Sequence, residues 1–151
     1  MNEKEAYIRT WIKEVSKIRP ELGNFAICPF ASSAKFAIKE CNIDDIAPIE
    51  GYDVVIFIVE DHLSLDDINY YVNKYNETYQ IWDFFEDCAS YDTFINGIQT
   101  NNGKYNLILA QPKEKLKKFR KILAKTEYYN HWDDEYLQEI LGDDYNLIDK
   151  G

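Results

Sequence analysis

Asp53-Val54-Val55-Ile56-Phe57-Ile58-Val59-Glu60 places six consecutive apolar residues, mostly β-branched, between two acids. The run does not alternate polar with apolar, so both of its faces must be covered, as in an interior strand. It is also the longest apolar run in the chain, far short of the ~20 residues that a membrane span needs. A strand buried on both faces requires neighbours in the sheet and helices above and below it. The flanking sequence supplies both.

Upstream, Ile8, Trp11, Ile12, Val15 and Ile18 recur at the spacing of one apolar helical stripe, which predicts a helix over 3–18. Asn2 with Glu5 makes an N-cap pair, and Pro20 stops the helix by disfavouring helical geometry at Arg19. Gly23-Asn24 turns the chain into a segment holding Cys28-Pro29-Phe30-Ala31. Residues 34–41 then read as a short strand with Phe36 and Ile38 on one face, and 42–51 as an acidic loop with Pro48 and Gly51.

Downstream, Ser64-Leu65-Asp66-Asp67 is a capping-box start with Asp in place of Glu. The helix it opens buries Leu65, Ile68, Val72 and Tyr75. It either runs on through Trp82 and Phe85 or breaks near Thr78. Residues 90–103 read as loop, with an ambiguous turn at Thr93-Phe94-Ile95 and a turn signal at Asn101-Asn102-Gly103. Residues 104–110 form a third strand, and Pro112 suits the first turn of a helix over 112–125 that buries Leu116, Phe119 and Leu123. A last helix over 132–141 stacks Trp132, Tyr136 and Ile140 and stops at Gly142. The order is α-β-β-α-β-α-α. A hairpin-like pair followed by a β-α-β crossover predicts an α+β or α/β fold, a small mixed sheet of three or four strands covered by helices.

The 151 residues suit a single globular domain spanning 1–151. Apolar residues make up 46% and charged residues 29%, a composition that can bury a core, and no repeats or low-complexity tracts occur. The opening Met-Asn-Glu-Lys-Glu predicts no secretory signal. Three scattered cysteines, Cys28, Cys41 and Cys88, predict no disulfide framework and suit a reducing cytoplasm. With two histidines and no Cys-x-x-Cys pair, no metal site is expected. No cofactor is expected either, because dinucleotide, P-loop, zincin and serine-hydrolase motifs are all missing. The net charge of −10 is unevenly spread: residues 40–92 carry 14 acids and one base, and 113–125 carry seven bases and one acid. Such a field opposes nucleic acid and anionic membranes and favours a protein partner with a basic surface, while leaving oligomeric state open.

Four features could carry function. If Pro29 opens a short helix, Cys28 is its N-cap, where the helix dipole favours a thiolate suited to nucleophilic or redox work. The bland alternative is a buried cysteine beside Phe25 and Phe30. With Trp11 upstream, Cys28-Pro29-Phe30-Ala31 resembles the opening of an uncharacterised bacterial CPFA-motif family, domain of unknown function number 1415. Leu65, Asp66 and Asp67 match that family's central helix start, and the likeness runs in outline over residues 8–112. The resemblance implies a fold and no reaction. The family's third strand ends in His-Pro, where this chain has Gln111-Pro112, so any chemistry using that histidine is not implied here.

The second feature, Glu60-Asp61-His62, ends the central strand, the edge where open α/β sheets bind ligands by acid–base or metal chemistry. Strand side chains alternate, however, so three consecutive residues do not converge on one site, and His62 can serve merely as the lead into the Ser64 helix. The third is the basic helix, Lys113, Lys115, Lys117, Lys118, Arg120, Lys121 and Lys125, with Tyr128, Tyr129, His131 and Trp132 after it. It could bind phosphates and stack bases, or be a solvated face bridged to nearby acids. The fourth is the acidic surface, including Asp83, Glu86, Asp87 and Asp92, and the pairs around Asp133 and Asp143, suited to a basic partner or to plain solubility. Two expectations result. The favoured one is a small acidic interaction module that binds a basic protein surface, with Glu60, Asp61, His62 and Trp132 as candidate binding residues. The alternative is an enzyme or thiol redox protein dependent on Cys28.

Overall fold

In a computed structural model of the chain, residues 2–141 are described except 23, 24, 30, 32 and 133, with residues 21, 131, 134, 136 and 139 described by backbone alone. Four strands form one mixed sheet in the order β1 (Phe36–Glu40), β2 (Val54–Ile58), β6 (Leu107–Pro112), β3 (Trp82–Asp87). The short β4 (Phe94–Ile95) and β5 (Ile98–Gln99) make a separate hairpin. The helices are α1 (Glu3–Val15), α2 (Leu65–Thr78), α3 (Lys113–Ala124) and α4 (Asp134–Leu141). Among the described residues no helix is long and apolar enough to cross a membrane.

The apolar run lies between β1 and β6, as its composition requires, and Val55, Ile56, Phe57 and Ile58 are all buried. Its alternate side chains build two cores. Val55, Phe57 and Val59 pack with Ile68, Val72 and Tyr75 of α2 on one face. Ile56 and Ile58 pack with Ile8, Ile12 and Val15 of α1 on the other. Full burial contributes about 1.5–3 kcal/mol for each such side chain, so the strand is the main anchor of both layers.

Several expectations are corrected. β1 and β2 are parallel and not a hairpin, with Phe36 opposite Val54 and Glu40 opposite Ile58. A parallel pair needs a crossover. Residues 41–53 supply it, and Ile43 and Ile46 of that connection are buried on the α2 face. The helix over 3–18 ends at Val15, because Ser16 caps it and Ile18 stands 71% exposed, off the stripe. The capping box at Ser64 forms with both reciprocal bonds, and α2 breaks at Thr78.

Trp82–Asp87, where the sequence admits either a continued helix or a break, is the edge strand β3. It pairs antiparallel with β6, so β2-α2-β3 is a crossover that skips one position. The side chain of Asn76 on α2 covers the outer edge of β3: its Oδ1 accepts from Phe84 N–H at 2.7 Å and its Nδ2 donates to Phe84 O at 3.1 Å. Asn96-Gly97, read only as loop, is the two-residue turn of the β4–β5 hairpin. Both residues have positive φ, 49° and 82°, the geometry that matches strand twist.

The strand expected at 104–110 is β6, starting at Leu107, and Pro112 is its last residue and the N-cap of α3. Trp132 precedes α4 instead of lying on it. The expected turn at Gly23-Asn24, the stop at Gly142, the acids Asp133, Asp143 and Asp144, and the side chains of Tyr136 and His131 lie outside what is described.

Candidate functional site

The α1 face of the sheet is only partly covered. Between α1 and α3 it opens into a groove of about 620 Å³, within the ~300–1,000 Å³ typical of ligand sites. The floor is the sheet itself, formed by Val54 and Ile56 of β2, Phe85 of β3 and Leu109 of β6. Trp11, Ile12 and Val15 form one wall, and Leu116, Phe119 and Leu123 the opposite one. Leu116 and Phe119 were expected in the core. They are half-buried because they face this opening. The mouth carries Tyr91 and Phe94, both more than half exposed.

Cys28 lies in this lining and is exposed, so the buried-cysteine alternative is excluded. Its segment is held from two sides. Cys28 N–H donates to Val15 O at 2.8 Å at the end of α1, and Tyr128 Oη donates to Ile27 O. The helix expected at Pro29 is replaced by a turn, in which Ala31 N–H bonds Cys28 O at 3.1 Å with Pro29 at the second position. The helix-dipole basis for a thiolate at Cys28 therefore falls away. Phe30 is not among the described residues.

Trp132 also lines the groove, within an aromatic cluster of Tyr128 and Tyr129 whose rings meet edge to face at 5.2 and 5.5 Å. Glu60, Asp61 and His62 do not. Glu60 Oε1 accepts from Ile43 N–H at 2.7 Å and so secures the crossover, while Asp61 and His62 stand exposed on a turn. The described residues bring no three metal-ligating side chains together. The basic helix mostly faces solvent. Lys115 bridges Asp53 at 2.7 Å, Lys113 reaches Asp83 at 3.7 Å, and Lys117, Lys118, Lys121 and Lys125 are exposed. Arg120 turns inward instead. It is buried, donates to Ile140 O at 2.9 Å and lies 5.9 Å from the Phe85 ring centre, within the lining.

Asp87, which the sequence offers only as one of several surface acids, lies in the groove lining. It ends β3 on the same face as Phe85, because strand side chains alternate. Asn102 donates to its Oδ1 twice, from the backbone N–H at 3.1 Å and from Nδ2 at 2.6 Å. Asn102 is itself locked. Its Oδ1 accepts from Lys104 and Tyr105 N–H, its Nδ2 also donates to Tyr105 O, and its carbonyl accepts from Tyr7 Oη. Part of Asp87 remains open to the groove, yet the protein packed around its carboxyl strips it of water. That desolvation, aided by Glu86 and opposed by the Asn102 bonds, pushes its pKa up to about 7. Asp53, across the groove, goes the other way: the bond from Lys115 and the N–H of Lys35 hold it below the usual carboxylate range. Recognising 82–87 as a strand would have placed Asp87 beside Phe85, but its mixed Trp-Asp-Phe-Phe-Glu-Asp pattern fits neither period cleanly.

No family model, no curated protein and no solved structure matches this chain.

Proposed function

We propose that this protein is an interaction module whose groove takes a segment of a partner protein carrying basic and apolar residues. The observation that carries the reading is an apolar floor with an acidic border. Among the described residues, Asp53, Glu86, Asp87 and Asp92 line the groove against one cation, Arg120, in a chain of net charge −10. Opposite charges on the partner would steer encounter and set register, and apolar contact with the floor would supply affinity. Exposed Tyr91 and Phe94 at the mouth extend the contact surface. The test is selection from a random displayed peptide library, followed by mapping of the bound peptide through NMR shifts. The expected winners are basic peptides with aromatic or aliphatic residues that shift Trp11, Phe85, Phe94 and Trp132. Winners without basic enrichment, or shifts confined to other faces, would overturn the reading.

A second reading, thiol chemistry at Cys28, is favoured by one observation: the exposed sulfur shares the groove with Asp87, an acid poised to exchange protons near neutrality. Iodoacetamide alkylation across pH tests it. Cys28 should react faster than half-buried Cys41 and buried Cys88 on exposure alone. Reactivity that persists below neutral pH would support a catalytic or redox thiol, and an ordinary alkaline profile would remove it. The likeness of Cys28-Pro29-Phe30-Ala31 to the CPFA-motif family fits either reading, since that family has no assigned reaction. A reducing, cytoplasmic setting is part of the same proposal and accords with three cysteines in the thiol state.

A further inference from the structure

We propose that Asp87 is the cation receptor of the groove, its carboxylate taking the guanidinium or ammonium group of an arginine or lysine in the bound segment. The inference rests on the peptide-binding reading above and adds to it the anchoring residue and a dependence on pH.

The acids along the groove are not equivalent. Asp53 is already paired with Lys115 at 2.7 Å and accepts Lys35 N–H at 2.8 Å. Asp92 Oδ1 accepts from the side chains of Gln99 and Asn101. Glu86 Oε2 accepts from Cys88 N–H at 3.1 Å. Asp92 is exposed to water, whereas Asp87 is half-buried; both of its described bonds come to one oxygen from the buried, neutral Asn102, and it makes no ion pair among the described residues. Asn102, bonded to four further groups and fixed by them, holds the carboxylate in place, so a ligand would meet a preorganised acceptor.

Other titratable groups surround this position. Glu86 precedes Asp87 on β3, and Tyr91 and Asp92 follow on the loop. Tyr7 of α1 and Lys104 of the 101–105 turn meet each other, with the Lys104 ammonium 5.0 Å from the Tyr7 ring centre. Cys28 and Arg120 contribute from the far walls. Glu86 is the charge that acts on Asp87, and it acts in the same direction as burial, against ionisation. An incoming cation reverses both effects. It finds a carboxylate that water solvates poorly, where a charge-assisted bond is strong, and it draws the proton off as it binds. Binding therefore strengthens as pH rises through neutrality. Arg120, over Phe85 and tied to Ile140, repels a cation from that part of the floor and leaves it to apolar side chains.

The probes are acetyl-Leu-Phe-Arg-Phe-Leu-amide and the same peptide with citrulline for arginine, which keeps shape and loses charge. Titrations by NMR or calorimetry use the full chain at about pH 8 and about pH 5.5, on either side of the Asp87 transition. The arginine peptide should bind about tenfold tighter or better at the higher pH. The preference should shrink toward unity at the lower pH. Asp87→Asn should abolish the preference at both. Equal binding of the two peptides to wild type, or a preference that survives in Asp87→Asn, would overturn the receptor assignment and leave the groove reading standing. Failure of both peptides to bind at millimolar concentration would overturn the groove reading itself, and the assignment with it. The wild-type comparison of the two peptides stands whether or not the variant folds.

Discussion

Replacing Asp87 by asparagine should make the protein more stable, by an amount that grows as pH rises from about 4 to about 7. The carboxyl pKa lies near 7 in the folded state against a usual value of 3.8. Between those two values the folded chain binds more protons than the unfolded one, so wild-type stability falls as pH rises across that window. The displacement is about three pKa units, and at 1.36 kcal/mol each the penalty reaches about 4 kcal/mol above neutral pH. Relaxation of a groove-facing carboxyl toward water trims this, and about 2–4 kcal/mol is the working expectation. Asparagine retains an Oδ1 that can accept both Asn102 bonds and carries no charge to desolvate. Urea unfolding of both proteins should give curves that nearly coincide at about pH 3, draw apart steadily from about pH 4 to about pH 7, and separate by that amount at about pH 8. In a domain of this size the separation corresponds to roughly 5–15 °C in Tm. The difference between the two proteins isolates this one group from every other titration in the chain. If Asp87→Asn is destabilising at pH 8, the carboxylate is a stabilising structural acceptor and the reasoning fails. A native carboxylate that stabilised at the cost of nothing would also be a poor reserve for binding, whereas one that opposes folding is the kind of strain that functional sites carry.

Asn76→Ala should destabilise the fold by about 1–3 kcal/mol, because both Phe84 backbone groups on the β3 edge lose their partner; equilibrium unfolding measures it, and an unchanged midpoint would show that water replaces the side chain without cost. Gly97→Ala should cost about 1 kcal/mol through backbone strain alone, since φ is +82° and nothing lies near the added methyl group, and a loss of several kcal/mol would point to a contact the hairpin does not show. Replacing Lys117, Lys118 and Lys121 together by Gln should leave unfolding within about 0.5 kcal/mol of wild type, as expected of a solvated face. The same helix should give no tight, salt-sensitive binding to DNA or RNA, and detecting such binding at physiological salt would reverse the assignment of that face.

Periodicity in the sequence was enough to establish the framework. Six apolar residues without alternation can be satisfied only inside a sheet, and the stripe Ile8, Trp11, Ile12, Val15 only against it, so β2 and α1 were legible before any coordinates. The capping box at Ser64 was equally local: its two bonds join residues three apart and depend on nothing else in the chain. The parallel pairing of β1 and β2 was not legible, because hydrogen-bond direction is chosen between strands and leaves no mark on either one. β3 was missed for a related reason. Trp82-Asp83-Phe84-Phe85-Glu86-Asp87 is strand only because β6 lies on one side and Asn76 closes the other, and its own pattern favours neither period.

The groove is the clearest case of what only the tertiary structure decides. Its floor comes from three strands, its walls from two helices, and its acids from segments more than thirty residues apart. Cys28 and Trp132 could be nominated from sequence as reactive or stacking residue types, but their presence in one cavity depends on how the 27–34 and 128–132 segments fold over the sheet. Asp87 is legible in the sequence only as one acid of an acidic surface beside Asp83, Glu86 and Asp92, and nothing there separates it from them, because its behaviour comes from the water it loses. Residue type and spacing determine which surfaces must be buried. Which surface is left open, and which charge is stranded beside it, follows from how the layers meet, because desolvation depends on everything packed within a few ångströms and not on the neighbours along the chain.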